Sequence, residues 1–302
     1  MSGNGKRVIQ VCEPGNFPQN SAIPGSTLFV VATPIGNLTD MSLRAIEVLR
    51  QVELIAAEDT RQTQKLLSHY SIATRLTAYH DFSDQSTSQR IIHRLNQGES
   101  VALVSDAGTP LISDPGYGLV AAARSHGLNV IPIPGPSAFV AALSVAGLPT
   151  DRFSFEGFLP AKAGPRGKRL KALATEQRTM IFYEAPHRIN SMLQACASHF
   201  ESSRKVFLGR ELTKKFEQHF CGTLASALTW LAEDENHMKG EFVVVIAGGD
   251  EAAWQEARLE KADGLVAELR KEMPMKKAVA FISAFLGLSK NELYRRVLER
   301  DQ

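Results

Sequence analysis

Between residues 27 and 145, short apolar runs alternate with amphipathic segments, and each run ends in a loop rich in proline, glycine or carboxylates. This alternation constrains the fold more than any other feature of the chain. A run of four or five consecutive apolar residues fits a strand buried on both faces, and strands that alternate with helices build a mostly parallel sheet covered on both sides. The strands are predicted at residues 28–32, 54–57, 101–104 and 130–133. A helix is predicted after the first, with Leu43, Ile46 and Leu49 on one face and Asp40 or Ser42 as its N-cap, and another near residues 91–95.

The pattern changes near residue 150. Residues 153–158 alternate like a half-exposed strand, and residues 180–183, 205–208 and 242–246 read as further strands, with helices predicted around 189–200 and 224–231. From residue 251 onward the chain reads as helical. With 302 residues and 44% hydrophobic content, the chain is large enough for two modest cores. The predicted organisation is a solvated, disordered tail (1–26), an α/β domain (27–150), a second, mixed α/β domain (151–250) and a small helical unit (251–302).

The net charge of +2 does not by itself call for a polyanionic partner, but basic residues are unevenly placed. Residues 162–178 carry six Lys/Arg against one acid, and residues 271–302 carry seven against four, so the remainder is net acidic. Such segregation suits phosphate contact, although a charge run is also what a solvated face looks like. The C-terminal segment has a helix–turn–helix pattern in which Ser289 and Glu292 form a capping box. Cys12, Cys196 and Cys221 are too scattered for a disulfide framework or a metal site. They are read as reduced thiols, the last two buried. No segment has the ~18 apolar residues of a membrane span, and the N-terminus lacks the apolar stretch of a signal peptide. The chain is therefore expected to be cytoplasmic, with no metal.

The informative loops are 33–37, 58–61, 105–110 and 134–138. In an open α/β sheet all four fall beyond the carboxyl ends of strands, where helix N-termini and free backbone N–H groups gather around ligands. Gly36, Gly108 and Gly135 are expected to let the backbone turn sharply or approach a ligand closely. A single loop of this kind is ordinarily a plain turn, but four in the same relation to four strands point to a site. No dinucleotide fingerprint, P-loop, zinc-protease motif or nucleophile elbow is present.

Val31-Ala32-Thr33-Pro34-Ile35-Gly36-Asn37-Leu38-Thr39-Asp40 resembles the first motif of the tetrapyrrole-methylase superfamily. Ala57-Glu58-Asp59-Thr60-Arg61 and the stretch from Ser105-Asp106-Ala107-Gly108-Thr109-Pro110 through Asp114-Pro115-Gly116 resemble its ribosomal RNA branch, the small subunit methyltransferase I family. Pro134-Gly135-Pro136-Ser137-Ala138, Phe182-Tyr183-Glu184 and Arg210-Glu211-Leu212-Thr213-Lys214 extend the resemblance to about residue 248.

The resemblance implies a two-domain α/β enzyme, a homodimer, that binds S-adenosylmethionine in an interdomain cleft and 2′-O-methylates a cytidine of small-subunit ribosomal RNA in the decoding region, within the assembled subunit. It implies cofactor contacts from Pro34, Gly36, Ala107, Gly108, Thr109, Ile112, Ser137 and Ala138, and from Tyr183, Glu184, Leu212, Phe242 and Val243 in the second domain. Small-molecule members of the superfamily carry GxGPGD-like and GGDP-like loops, and this chain departs from both.

A ribose 2′-hydroxyl is a weak nucleophile, and a base that takes its proton contributes roughly 10²–10⁴-fold. The candidates are Glu58, Asp59, His80 and Asp106, with Arg61 and Lys214 as charge partners or phosphate clamps. Asp59 and Arg61 also fit a structural ion pair, His80 a loop or core histidine, and Glu211 an anchor for Arg210 or Lys214. Lys276, Lys277, Arg295 and Arg296 are the candidate RNA contacts of the C-terminal unit, which otherwise packs on its neighbour. The rival readings are a methylase of the same fold acting on a tetrapyrrole or other small molecule, and a non-catalytic nucleic-acid binder.

Overall fold

A computed structural model describes residues 22–80 and 85–300. Most of the predicted tail, with Cys12, lies outside the described residues. The chain forms two compact units that divide between Ser137 and Ala138, earlier than the boundary expected at residue 150.

The first unit runs β1 (Thr27–Val31), α1 (Leu43–Gln51), β2 (Leu54–Ala57), α2 (Thr60–His69), β3 (Leu76–Ala78), α3 (Gln85–Asn96), β4 (Val101–Val104), α4 (Tyr117–Ser125) and β5 (Asn129–Ile133). Its strands form one parallel sheet in the order β3-β2-β4-β1-β5. Alternate residues serve opposite faces. Phe29, Val31, Ile55, Ala57, Ala102 and Val104 pack against Ile46, Leu49 and Leu67 of α1 and α2. Leu28, Leu54, Ala56, Val101 and Leu103 pack against Ile91, Leu95 and Leu119 of α3 and α4. The consecutive apolar residues of β2 and β4 are buried on both faces for this reason.

Ser42, rather than Asp40, caps α1 by accepting from the Ala45 N–H. Leu43 is 49% exposed, so the buried stripe of α1 begins at Ala45. Strand β3 was not predicted, because only three residues pair and none is buried.

The second unit runs α5 (Ala138–Val145), β6 (Phe153–Phe158), α6 (Ala163–Leu173), β7 (Thr179–Glu184), α7 (Ile189–Ala197), β8 (Lys205–Arg210), β9 (Gln218–Thr223), α8 (Leu224–Glu233), β10 (Phe242–Ile246), α9 (Glu251–Leu269), α10 (Met275–Leu286) and α11 (Lys290–Arg300). Its sheet is mixed, in the order β6-β7-β10-β8-β9. Strands β6 and β7 are parallel, and the other pairings are antiparallel. Met180, Phe182, Leu208, Phe242 and Val244 face a core completed by α6, α7 and α8. Helix α5 packs on β7 and β10, which places it in this unit.

Sequence periodicity missed α6 and β9. Helix α6 carries Pro165 and two glycines, and β9 has an edge-strand composition with little burial. Cys196 is buried as expected, but Cys221, on that edge strand, is exposed. Helices α9, α10 and α11 enclose a separate cluster built on Ala262, Val266, Val279, Ile282, Leu293 and Val297. Ser289 accepts from the Glu292 N–H at 3.4 Å, one half of the expected capping box, with no return bond among the described residues.

The chain leaving β10 is pinned against the turn before β7. The Gly249 N–H donates to the Glu176 carbonyl at 2.7 Å, and a Cβ on Gly248 would lie 1.8 Å from the Gln177 carbonyl oxygen. The obstacle is backbone and has no rotamer to change. Gly248→Ala is therefore expected to destabilise the fold by at least about 2 kcal/mol, read as a lower midpoint of urea unfolding.

Candidate active site

The four loops of the first unit leave the carboxyl ends of β1, β2, β4 and β5, and because the sheet is parallel these ends share one edge. Hydrogen bonds tie all four together. Thr33 and Gly108 form a two-way backbone bridge, Thr33 N–H to the Gly108 carbonyl at 2.8 Å and Gly108 N–H to the Thr33 carbonyl at 3.0 Å. The Thr33 hydroxyl also donates to the Ser105 carbonyl at 3.2 Å, which joins the loops after β1 and β4. Thr109 donates through Oγ1 to the Pro136 carbonyl at 3.1 Å, joining the loop after β5. The Asp59 N–H donates to Asp106 Oδ1 at 2.9 Å, joining the loop after β2.

Gly108 has φ +82° and Ser105 lies buried beneath it. Gly135 comes so close to Ala32 that a Cβ there would sit 3.0 Å from the alanine methyl. Gly36 is exposed and its backbone is not left-handed. Leu111 (φ +73°) and Ser113 (φ +65°) are also left-handed. Two non-glycine residues in that region within three positions store strain, a frequent mark of functional loops.

Asp59 is the N-cap of α2. Its Oδ1 accepts from the Arg61 N–H at 2.8 Å, and that bond leads in holding its carboxyl below the usual range. The Arg61 side chain is 90% exposed, with Nε 3.6 Å from Asp59 Oδ1, a pairing of little strength. Arg61 instead borders a shallow groove with Thr60, Gln64 and residues 76–78 of β3. His80 is an exposed loop residue.

The residue that the sequence reading missed is Asp114. Its half-buried carboxyl is pushed up to about 6 by burial and by the charges of Glu58 and Asp106, against a lowering hydrogen bond with Ser105. Asp114 lies nine residues beyond Ser105 in the same loop, and only the fold brings it back to Glu58. The signal in sequence was the second Ser-Asp pair, Ser113-Asp114, echoing Ser105-Asp106.

In the second unit β7 and β8 run the same way, each antiparallel to β10, so Phe242 pairs with both Glu184 and Arg210. The carboxyl ends of β7 and β8 and the start of β10 thus share one edge and bring Tyr183, Glu184, Leu212, Phe242 and Val243 together. Glu184 is buried, and desolvation raises its carboxyl above the ordinary value. Its Oε1 accepts from the Ala185 N–H at 2.9 Å and lies 3.1 Å from Arg188 Nε, while Oε2 has no hydrogen-bond partner. Tyr183 Oη accepts from the Phe139 N–H at 3.2 Å. Glu211 (φ +51°) and Thr213 (φ +66°) flank Leu212 with left-handed backbone. The Phe242 ring belongs to the hydrophobic core, so its backbone is the part that can meet a ligand.

Two of the predicted RNA contacts are already neutralised. Lys214 Nζ sits 2.9 Å from Glu211 and 3.0 Å from Glu241, so Glu211 anchors Lys214. Arg210 turns instead to the carbonyls of Lys239 and Phe216. Arg296 is clamped by Glu256 at 2.5 Å and by the buried Asp263 at 2.7 Å. Lys276, Lys277 and Arg295 are exposed, and their side chains make no hydrogen bond or ion pair within the described residues. In the basic segment 162–178, Arg169 pairs with Glu156 and Arg178 with Glu176. Among the described residues no group of side chains is arranged to hold a metal ion, and no helix is long and apolar enough to cross a membrane.

Comparison with known proteins places these loops in context. Residues 27–228 match the family model described as Tetrapyrrole (Corrin/Porphyrin) Methylases, and residues 256–301 match that described as the RsmI C-terminal HTH domain. Ribosomal RNA small subunit methyltransferase I of Pseudomonas aeruginosa is 51% identical over 279 residues, covering 91% of this chain and 97% of that protein. Its counterpart in Vibrio cholerae is 49% identical, covering 93% and 98%. Among solved structures, diphthine synthase superposes with a TM-score of 0.56 at 15% identity, over 76% of this chain and 93% of that one. Cobalt precorrin-4 methyltransferase gives 0.55 at 13%, over 74% and 95%. These two share the fold alone. The chain is thus a member of the tetrapyrrole-methylase superfamily and, within it, of the ribosomal RNA small subunit methyltransferase I family.

Proposed function

We propose that this chain transfers a methyl group from S-adenosylmethionine to the 2′-oxygen of a cytidine ribose in the decoding region of small-subunit ribosomal RNA, acting in the cytoplasm on the assembled subunit. The observation that carries this reading is the hydrogen-bonded union of four strand-exit loops at one edge of the parallel sheet. The residues present fit the cofactor. Gly108 offers backbone with no Cβ at a left-handed turn, and the buried Glu184 Oε2 lacks the donor that a ligand amine or hydroxyl would supply. Pro34, Ala107, Thr109, Ile112, Ser137 and Ala138 are assigned to the same task from the first set of loops and the start of α5. Tyr183, Leu212 and Val243 are assigned to it from the second unit.

The bound cofactor supplies an electrophilic methyl on a sulfonium, so the chain's own work is positioning and proton removal. Arg61, exposed beside its groove, is suited to hold a substrate phosphate. Asp59 orders the start of α2 and hence Arg61. The 2′-hydroxyl proton is assigned to the carboxylate group of Glu58, Asp106 and Asp114. Burial, with the charges of Glu58 and Asp106 adding to it, pushes the Asp114 carboxyl up to about 6, nearer the working pH, as suits a general base. The proposed homodimer is supported by exposed apolar residues of the second unit, Val140, Val145, Phe153 and Phe158.

The test is transfer of tritium from labelled cofactor to purified small subunits, followed by nucleoside analysis. Label in 2′-O-methylcytidine is expected. Label accepted only by a porphyrin or corrin precursor would favour the small-molecule rival, and absence of cofactor binding would favour the non-catalytic one.

A further inference from the structure

Helix α10 buries Ala278, Val279, Ile282 and Ser283 against α9 and α11. Its other side carries Lys277, Phe281 and Phe285, each one turn from the next on the same face. Phe281 is 59% and Phe285 73% exposed, and their rings lie parallel, 5° apart in plane and 6.4 Å between centroids. Lys276 and Lys277 are exposed and unpaired among the described residues, and α10 contains no acidic residue. The nearby carboxylates of Glu256 and Asp263 are occupied by Arg296 and Arg300.

We infer that this face of α10 is a stacking platform for unpaired bases of single-stranded RNA, with Phe281 and Phe285 receiving the bases and Lys276 and Lys277 the flanking phosphates. This rests on the reading of the chain as an RNA methyltransferase and assigns its C-terminal helices a preference for unpaired substrate. Two exposed phenyl rings on a helix that also carries two exposed ammonium groups call for a partner that is both flat-faced and anionic. A single strand is both at every nucleotide, whereas a duplex hides its base faces.

The experiment uses the full chain and a fluorescent single-stranded pyrimidine 12-mer, with a hairpin duplex of the same composition as control. Phe281→Ala/Phe285→Ala should weaken single-strand binding by at least about 30-fold, from loss of stacking at two bases, and leave the salt slope unchanged. Lys276→Gln/Lys277→Gln should instead lower that slope by about 1.4. Calorimetric affinity for S-adenosylmethionine and the unfolding midpoint report whether each variant is folded. A folded Phe281→Ala/Phe285→Ala protein that binds the single strand as tightly as the parent overturns the platform. So does an equal loss on the duplex, binding of anionic vesicles in place of RNA, or conversion of a dimer to monomer by the phenylalanine substitutions. Methyl transfer by the unaltered protein is scored separately. If the parent fails to methylate small subunits, the functional reading fails; if it methylates and the phenylalanines prove dispensable for binding, only the platform does.

Discussion

Asp114→Asn is expected to lower methyl transfer by about 10²–10⁴-fold near neutral pH and, under the same conditions, to raise the melting temperature. Both effects have one origin. The Asp114 carboxyl titrates near 6 in the folded chain, against 3.8 as its ordinary value. Between those values the folded state holds a proton that the unfolded state has released, so this residue's contribution to stability falls as pH rises through that window. Above about 6 the charge sits beside Glu58 and Asp106, ready to accept a proton and unfavourable to the fold. Asparagine carries no charge and relieves the penalty. The whole shift would correspond to about 3 kcal/mol, but solvent screening at a half-exposed carboxyl reduces this to about 1 kcal/mol, a few degrees in melting temperature. No stability gain is expected below about pH 4, where both states are protonated. The decisive measurement is kcat/KM against pH. The parent should show an acid limb near 6 that is missing in the variant, and a limb that persists in Asp114→Asn would return the proton to Glu58, Asp59 or Asp106.

Gly108→Val should weaken S-adenosylmethionine binding by more than about tenfold. A left-handed residue with a Cβ is disfavoured by about 1–2 kcal/mol, more when β-branched, and a tenfold change in affinity corresponds to 1.4 kcal/mol. The space alone is tolerable, since a Cβ at Gly108 would meet Ile35 Cγ2 at 3.4 Å. The backbone at φ +82° is not. Relaxing it would break the two-way bridge to Thr33 and release the loop after β4 from the loop after β1. Gly108→Ala should show a smaller loss in the same direction. Calorimetry that finds parental affinity in a folded Gly108→Val protein would remove Gly108 from the cofactor site. By the same logic Asp59→Asn, which keeps an oxygen for the α2 cap, should retain cofactor affinity, and its turnover reports whether that carboxylate has any role beyond the cap.

Strands whose residues are buried on both faces were plain in the sequence, because β2, β4 and β10 leave no polar position to interrupt the run. The four strand-exit loops were equally legible, since proline, glycine and carboxylates there stand out against apolar neighbours. Elements held by pairing or by one thin stripe were not: β3 and β9 gain their place from a neighbour's hydrogen bonds, and α6 from Leu170 and Leu173 alone. Which charges are free was also beyond the sequence. Lys214 and Arg296 read the same as Lys277 and Arg295, and only folding sets the first two against Glu241 and Asp263, far away in the chain. Asp114 is the clearest case. Local sequence shows only a carboxylate in the loop after β4, and its proton affinity depends on burial and on Glu58, a residue of another strand's loop. Periodicity and motif are local properties that a chain carries unfolded. Electrostatic environment is a sum over neighbours in space, and only the tertiary structure chooses those neighbours.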